Sequence, residues 1–152
     1  MNDFVSKVCQ FNEIAGTPNE FNERMVSLYI GLCLEEMAEI IKACGSRPAF
    51  EHMSSTMDHW SKRFKEGDFD QDITHMNRVE GLDGFIDTAV VALGGAYAMG
   101  ARVNEACHEV ADSNLSKYDL LPDGSYTVLR DENGKVKKGP NYRKPNLSPF
   151  LK

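Results

Sequence analysis

The chain has 152 residues and a formal net charge of -6, with 17 basic against 23 acidic side chains, a size suited to one domain with a core of its own. Its basic residues gather near the C-terminus, so the body is acidic and a nucleic-acid polymer is not an expected partner. No apolar run approaches the roughly 18 residues of a membrane span, and Met1-Asn2-Asp3-Phe4 lacks a basic segment ahead of an apolar one, so a cytoplasmic protein with no membrane partner is expected.

Phe4, Val5, Val8, Phe11 and Ile14 recur at three- and four-residue spacings, which predicts an amphipathic helix over about Asp3 to Ile14. Ala15-Gly16 ends it. Thr17-Pro18-Asn19-Glu20 reads as a helix start in which Thr17 caps, Pro18 fills the first turn and Glu20 reaches back; the second helix is expected to run to Cys44, with Gly45 as its stop. Inside it lies Leu34-Glu35-Glu36-Met37-Ala38-Glu39-Ile40-Ile41. At about 100° per residue, Glu35, Glu39 and Glu36 fall near 0°, 40° and 100°, on one face. Apolar neighbours such as Met25, Leu28, Leu32, Met37 and Ile40 cover nearly every direction, so this helix is expected to be largely buried. Carboxylates buried without partners take up protons. Three on one face therefore call for cations, either bound metal ions or Lys and Arg side chains.

A third segment, from Ser46-Arg47-Pro48 to about Lys65, carries Phe50, Met53, Met57, Trp60 and Phe64 on a helical stripe. This is a packing stripe first, although Trp60 with His59 and His52 could border a pocket for a flat base. Gly67 to Asp72 reads as an acidic linker that lacks the spacing of a calcium loop. The second long helix is expected over about Ile73 to Met99, ending at Gly100. Its first half carries Glu80, Asp83 and Asp87 near 60°, 0° and 40° of the wheel; its second half is apolar, with the small residues Gly94-Gly95-Ala96. Two such helices packed antiparallel would bring six acids into one cleft, where each close pair costs on the order of a few kcal/mol unless divalent cations intervene.

A fifth helix is expected over about Val103 to Tyr118, with Asn114 and Lys117 one turn apart and able to hold a phosphate together. Ser125 to Arg130 and Lys135 to Lys138 then read as a hairpin across an Asn133-Gly134 turn, followed by an extended, proline-bearing tail. Cys9, Cys33, Cys44 and Cys107 form no CxxC pair and are expected to be buried thiols rather than disulfides, zinc ligands or nucleophiles.

In this order the features resemble a known family. EExxE at Glu35, Glu36 and Glu39, with an acidic pair ahead of an apolar run on the next long helix, is similar to the all-α nucleotide pyrophosphohydrolases, the superfamily of MazG and phosphoribosyl-ATP pyrophosphohydrolase. Glu109-Val110, Ser113-Asn114-Leu115-Ser116-Lys117, Gly134-Lys135-Val136 and Lys138-Gly139-Pro140-Asn141-Tyr142 look like the phage and bacterial MazG-like members. The resemblance runs from Met25 onward. It departs at the second acidic motif, usually ExxD: Gly84 stands where Glu is expected before Asp87. Asp83, one position earlier, is the replacement on the same face. Glu80 and Asp83 form a literal ExxD in another register, which keeps Glu80 as a further candidate.

The resemblance implies an all-α MazG-like bundle of about five helices, a single domain over 1–152 whose hairpin and tail occupy about 120–152. It implies hydrolysis of a nucleoside triphosphate to the monophosphate and pyrophosphate, with a purine deoxynucleotide such as dGTP as the expected substrate. Mg2+ is the implied cofactor, with Mn2+ as a substitute. Glu36, Glu39 and Asp87 would bind metal most directly, and Glu35 and Asp83 would be ligands or orient the attacking water. Asn114 and Lys117, with Lys138 and Tyr142 from the tail, would hold phosphate, and the family's assembly implies a homodimer or homotetramer. Two alternatives stand beside it: phosphoribosyl-ATP as substrate, and a non-enzymatic oligomerisation or carboxylate metal-binding bundle. A di-iron bundle wants two Glu-x-x-His motifs; this chain offers only Glu105-Ala106-Cys107-His108.

Overall fold

In a computed structural model describing residues 3–151, the chain is all-α with a small antiparallel hairpin in its C-terminal part. Helix α1 (Phe4–Ala15) begins where the Asp3 carboxylate accepts from the Ser6 amide at 2.8 Å and ends at Gly16, whose φ of 69° is left-handed. Helix α2 (Glu23–Ala43) starts later than expected. Its cap is Asn22, which accepts from the Met25 amide at 2.9 Å. Thr17 instead completes the end of α1, its amide donating to the Asn12 carbonyl at 2.9 Å, and residues 17–22 lie outside any helix. Helix α3 (Pro48–Glu66) carries proline in its first turn and stops at Gly67, as a pre-set φ and a left-handed glycine dictate. The acidic linker is partly a short helix, α4 (Asp70–Ile73). Helix α5 (Arg78–Ala98) begins only at Asn77, whose side chain accepts from the Val79 and Glu80 amides. Helix α6 (Val103–Leu115) follows.

Two compact units divide the chain. One comprises Pro18–Met76 with Glu132–Lys135; the other comprises the chain up to Thr17, Asn77–Asp131 and the chain from Val136 onward.

The first of these is organised by the α2–α3 pair. Ser27, Gly31 and Ala38 of α2 and Ser54 and Ser61 of α3 are buried small residues, and they let the two helices approach closely. Hydroxyls bridge the gap: Ser27 Oγ donates to the Phe64 carbonyl at 2.8 Å and Ser61 Oγ to the Gly31 carbonyl at 2.7 Å. Lys42 and Asp58 pair at 2.7 Å at the far end. The partners run in opposite directions, so α2 and α3 are an antiparallel helical hairpin. Leu28 and Ile73 close its apolar side.

In the other unit α1 packs on α6. Tyr118 is buried, stacks on Phe11 at 5.0 Å and donates its hydroxyl to the Phe11 carbonyl at 2.9 Å, and Lys7 pairs with Asp112. The regular ladder lies earlier than expected, joining β1 (Asp119–Leu120) to β2 (Tyr126–Thr127). Gly124, at φ 84°, and Asp123, which accepts from Ser125, shape its turn. Across Asn133-Gly134 the pairing is an isolated bridge, Arg130 with Val136, beside which the Lys137 amide donates to the Leu129 carbonyl at 2.8 Å. The tail lies along α6: Arg143 pairs with Glu109 at 2.6 Å, and Ser113 Oγ donates to the Arg143 carbonyl at 2.8 Å. Helix α5 has no buried residue at all.

Gly31 faces the seam so closely that a Cβ there would lie 2.8 Å from the Ser61 carbonyl, an atom that cannot swing aside. Gly31→Ala is therefore expected to destabilise the fold by about 1–3 kcal/mol in urea unfolding followed by circular dichroism. Gly84→Ala, with open space at its Cβ, serves as the control and should not destabilise.

Candidate functional site

The side of α2 carrying Ser27, Gly31 and Ala38 turns toward α3, and Glu35 lies at its edge. There the sequence's demand for cations is met by lysines. Lys135 donates to Glu35 Oε2 at 2.6 Å, and Lys65 lies 3.3 Å from Oε1. Partial burial disfavours the charged carboxylate, but the hydrogen bond and charge of Lys135, with those of Lys65, outweigh it and hold Glu35 below the usual range. Glu36 and Glu39 lie outside the seam and are exposed. So are Met37 at 42% and Ile40 at 55%, which corrects the expectation of a largely buried helix. The reason is that small residues, not the bulky apolar ones, make the seam.

Glu80, Asp83 and Asp87 belong to α5 in the other unit and are exposed beside Leu82, Ile86 and Val90. Among the described residues, no group of three or more His, Cys, Asp or Glu side chains is gathered so as to hold a metal ion. Two carboxylate pairs stand at helical spacing, Glu36 with Glu39 on α2 and Asp83 with Asp87 on α5. Their hard oxygens suit magnesium, which is commonly held by one or two carboxylates with water and substrate phosphate completing its shell.

The phosphate candidates sit within one unit. Lys117 lies over the Phe11 ring at 5.4 Å and Lys138 over the Tyr142 ring at 4.7 Å. Asn114 is half-buried in the last turn of α6, where its carbonyl accepts from the Lys117 amide at 3.1 Å. Trp60, 42% exposed on α3, is packed with Phe69 and His59 and covered on one side by the Arg63 guanidinium at 5.5 Å. Cys9 and Cys44 are exposed rather than buried, and all four thiols are free; burial raises Cys33 and Cys107 above the usual thiol range.

Sequence reasoning missed Arg24, Lys65 and Lys135. Arg24 Nη2 donates to the carbonyls of Lys65 and Asn133. Lys135 directly follows the Asn133-Gly134 turn and belongs to the Gly134-Lys135-Val136 segment, signals that mark its position but not its partner. Among the described residues no single helix is long and apolar enough to cross a membrane. No protein family, curated protein or solved structure matches the chain.

Because the folded Glu35 carboxyl is depressed, its contribution to stability is complete above the unfolded value near 4.3 and fades as pH falls through the folded value. Glu35→Gln should cost on the order of 0.5–1 kcal/mol at pH 7, the scale of a partly solvated ion pair. Urea midpoints of the two proteins should converge as the pH falls through and below the folded value of Glu35.

Proposed function

We propose that the chain is a magnesium-dependent nucleoside triphosphate pyrophosphohydrolase, cleaving between the α and β phosphates to release a monophosphate and pyrophosphate. The observation that carries the reading is the α2 acid face, where the exposed pair Glu36 and Glu39 stands one turn from a carboxylate already matched by two lysines. Such a surface offers carboxylates to a divalent ion and ammonium groups to phosphate side by side. When bound, magnesium would neutralise phosphate oxygens and make water a better nucleophile. Glu36 and Glu39, and separately Asp83 and Asp87, are the side chains that would hold it. Lys117 and Asn114, with Lys138 and Tyr142, are secondary phosphate contacts, and Trp60 offers an aromatic edge to the base. A purine deoxynucleotide such as dGTP, drawn from the cytoplasmic pool, is the substrate this reading favours.

The purified protein should convert one or two of the eight common nucleoside and deoxynucleoside triphosphates to monophosphate and pyrophosphate, with a chelator abolishing turnover. Glu36→Gln should lower kcat by about a hundredfold or more, the scale of losing a charge that acts in the transition state. Diphosphate with orthophosphate as products would contradict the cleavage site, and full turnover by Glu36→Gln would contradict the residue assignment.

The same reading takes the chain as a homodimer or homotetramer, with a second copy covering α5. Leu82, Ile86, Val90, Val91 and Tyr97 are 58–77% exposed. Large apolar side chains this exposed on one helix are the kind of surface that a partner covers. The carboxylates beside this stripe would repel an anionic lipid surface. Gly94 and Gly95, with open space at their Cβ positions, admit another helix closely. Sedimentation equilibrium should give a dimer or tetramer for the wild type and a monomer, still helical, for Val90→Lys. A monomeric wild type, or a Val90→Lys protein of unchanged mass, would contradict the assignment.

A further inference from the structure

We infer that Lys65 and Lys135 form a grip for a phosphate chain and that Glu35 is their counter-ion, a positioning residue rather than a metal ligand. The class of ligand, a pyrophosphate or triphosphate group, rests on the reading above; the convergence of the cations does not.

Three separated stretches meet at this point: the first turn of α2 supplies Arg24, the last turn of α3 supplies Lys65, and the tip following Asn133-Gly134 supplies Lys135. Arg24 Nη2 donates to the carbonyls of both Lys65 and Asn133, so one guanidinium fixes the backbone at or beside each lysine. Its Nη1 is buried with no hydrogen-bond partner among the described residues. Both ammonium groups then turn to the same carboxylate, at 2.6 and 3.3 Å. The nearest acids along α3 and just beyond it are engaged elsewhere, Glu66 with Lys62 and Asp68 with Arg63. Two ammonium groups thus converge on one carboxylate while the guanidinium anchors the backbone beside them, so an approaching anion would meet both lysines at once.

The lysines are within reach of solvent. Their side chains are 19% and 37% exposed, and that of Glu35 is 26% exposed. A divalent ion at Glu35 would have to approach two ammonium groups already in contact with it, whereas a phosphate oxygen would be drawn to them as point charges. Glu39 follows Glu35 by one helical turn, about 5–6 Å along the same face. Phosphate held by the lysines would thus lie next to a cation held by Glu36 and Glu39, which divides the work of the acid face between phosphate positioning and metal binding.

Titration calorimetry with inorganic pyrophosphate in chelator, at low salt, tests the grip without any turnover. Wild type should bind, and Lys65→Met with Lys135→Met should raise Kd by about tenfold or more while the helical spectrum is retained. Lys62→Met should leave Kd unchanged. If the double variant does not fold, Lys135→Met alone, at the exposed tip, carries the same expectation with a smaller shift. Glu35→Gln should keep its affinity for Mn2+, followed by the paramagnetic signal of the free ion; loss of Mn2+ binding would make Glu35 a ligand and overturn its role as counter-ion. No pyrophosphate binding by wild type, or equal binding after both lysines are removed, would overturn the grip. Binding through these lysines without hydrolysis of any nucleotide would keep the grip and sink the pyrophosphohydrolase reading; hydrolysis with binding indifferent to the lysines would do the reverse.

Discussion

The close approach of α2 and α3 is the constraint on which the acidic face depends. Ser27 and Ser61 lie buried in the seam with their hydroxyls bonded to carbonyls of the facing helix, and at Gly31 even a Cβ would crowd the Ser61 carbonyl. Each such bond contributes about 1 kcal/mol, but leaving its buried partner unmet would cost more, so the seam fixes the rotation of α2. That rotation decides the fate of each acid. Glu35 comes to the edge of the seam, within reach of a lysine at the end of α3, while Glu36 and Glu39 turn to solvent.

A similar economy governs the C-terminal part of the other unit. Residues that carry the family resemblance there also hold the tail in place. Glu109 accepts from Arg143 and from the Asn146 amide, Ser113 donates to the Arg143 carbonyl, and the Ser116 hydroxyl accepts from the Arg143 amide. Gly139 lies close to the Lys117 carbonyl, where a Cβ would be 2.7 Å away. The spacing of these residues therefore has a packing cause of its own, in addition to whatever they do for a ligand.

Helices with strong local signals were legible from the sequence: the glycine stop at Gly16 and the proline start of α3 act through backbone geometry alone. Asn22 and Asn77 were not, because several residues nearby are chemically able to cap and the choice between them is made by what precedes. Burial was misread on α2 for a physical reason. Apolar periodicity marks which residues prefer the interior, but close helix packing selects small residues, and Met37 and Ile40 were displaced outward by Ser27, Gly31 and Ala38. Arg24, Lys65 and Lys135 are distant in sequence and carry no periodic signature, so only the fold brings them together. The acidic positions of α2 and α5 were legible as faces, yet the identity of the cation at Glu35 was left open between metal and lysine.

Whether Glu36 and Glu39 bind a metal or are merely solvated acids is the question on which the functional account turns. Titration of Mn2+ into the apo-protein, with the free ion followed by electron paramagnetic resonance, addresses it directly. The account predicts saturable binding by the wild type and a loss of affinity of about tenfold or more in the Glu36→Gln, Glu39→Gln double variant, with its helical content unchanged. Equal Mn2+ binding by the two proteins, or none by the wild type, would contradict it.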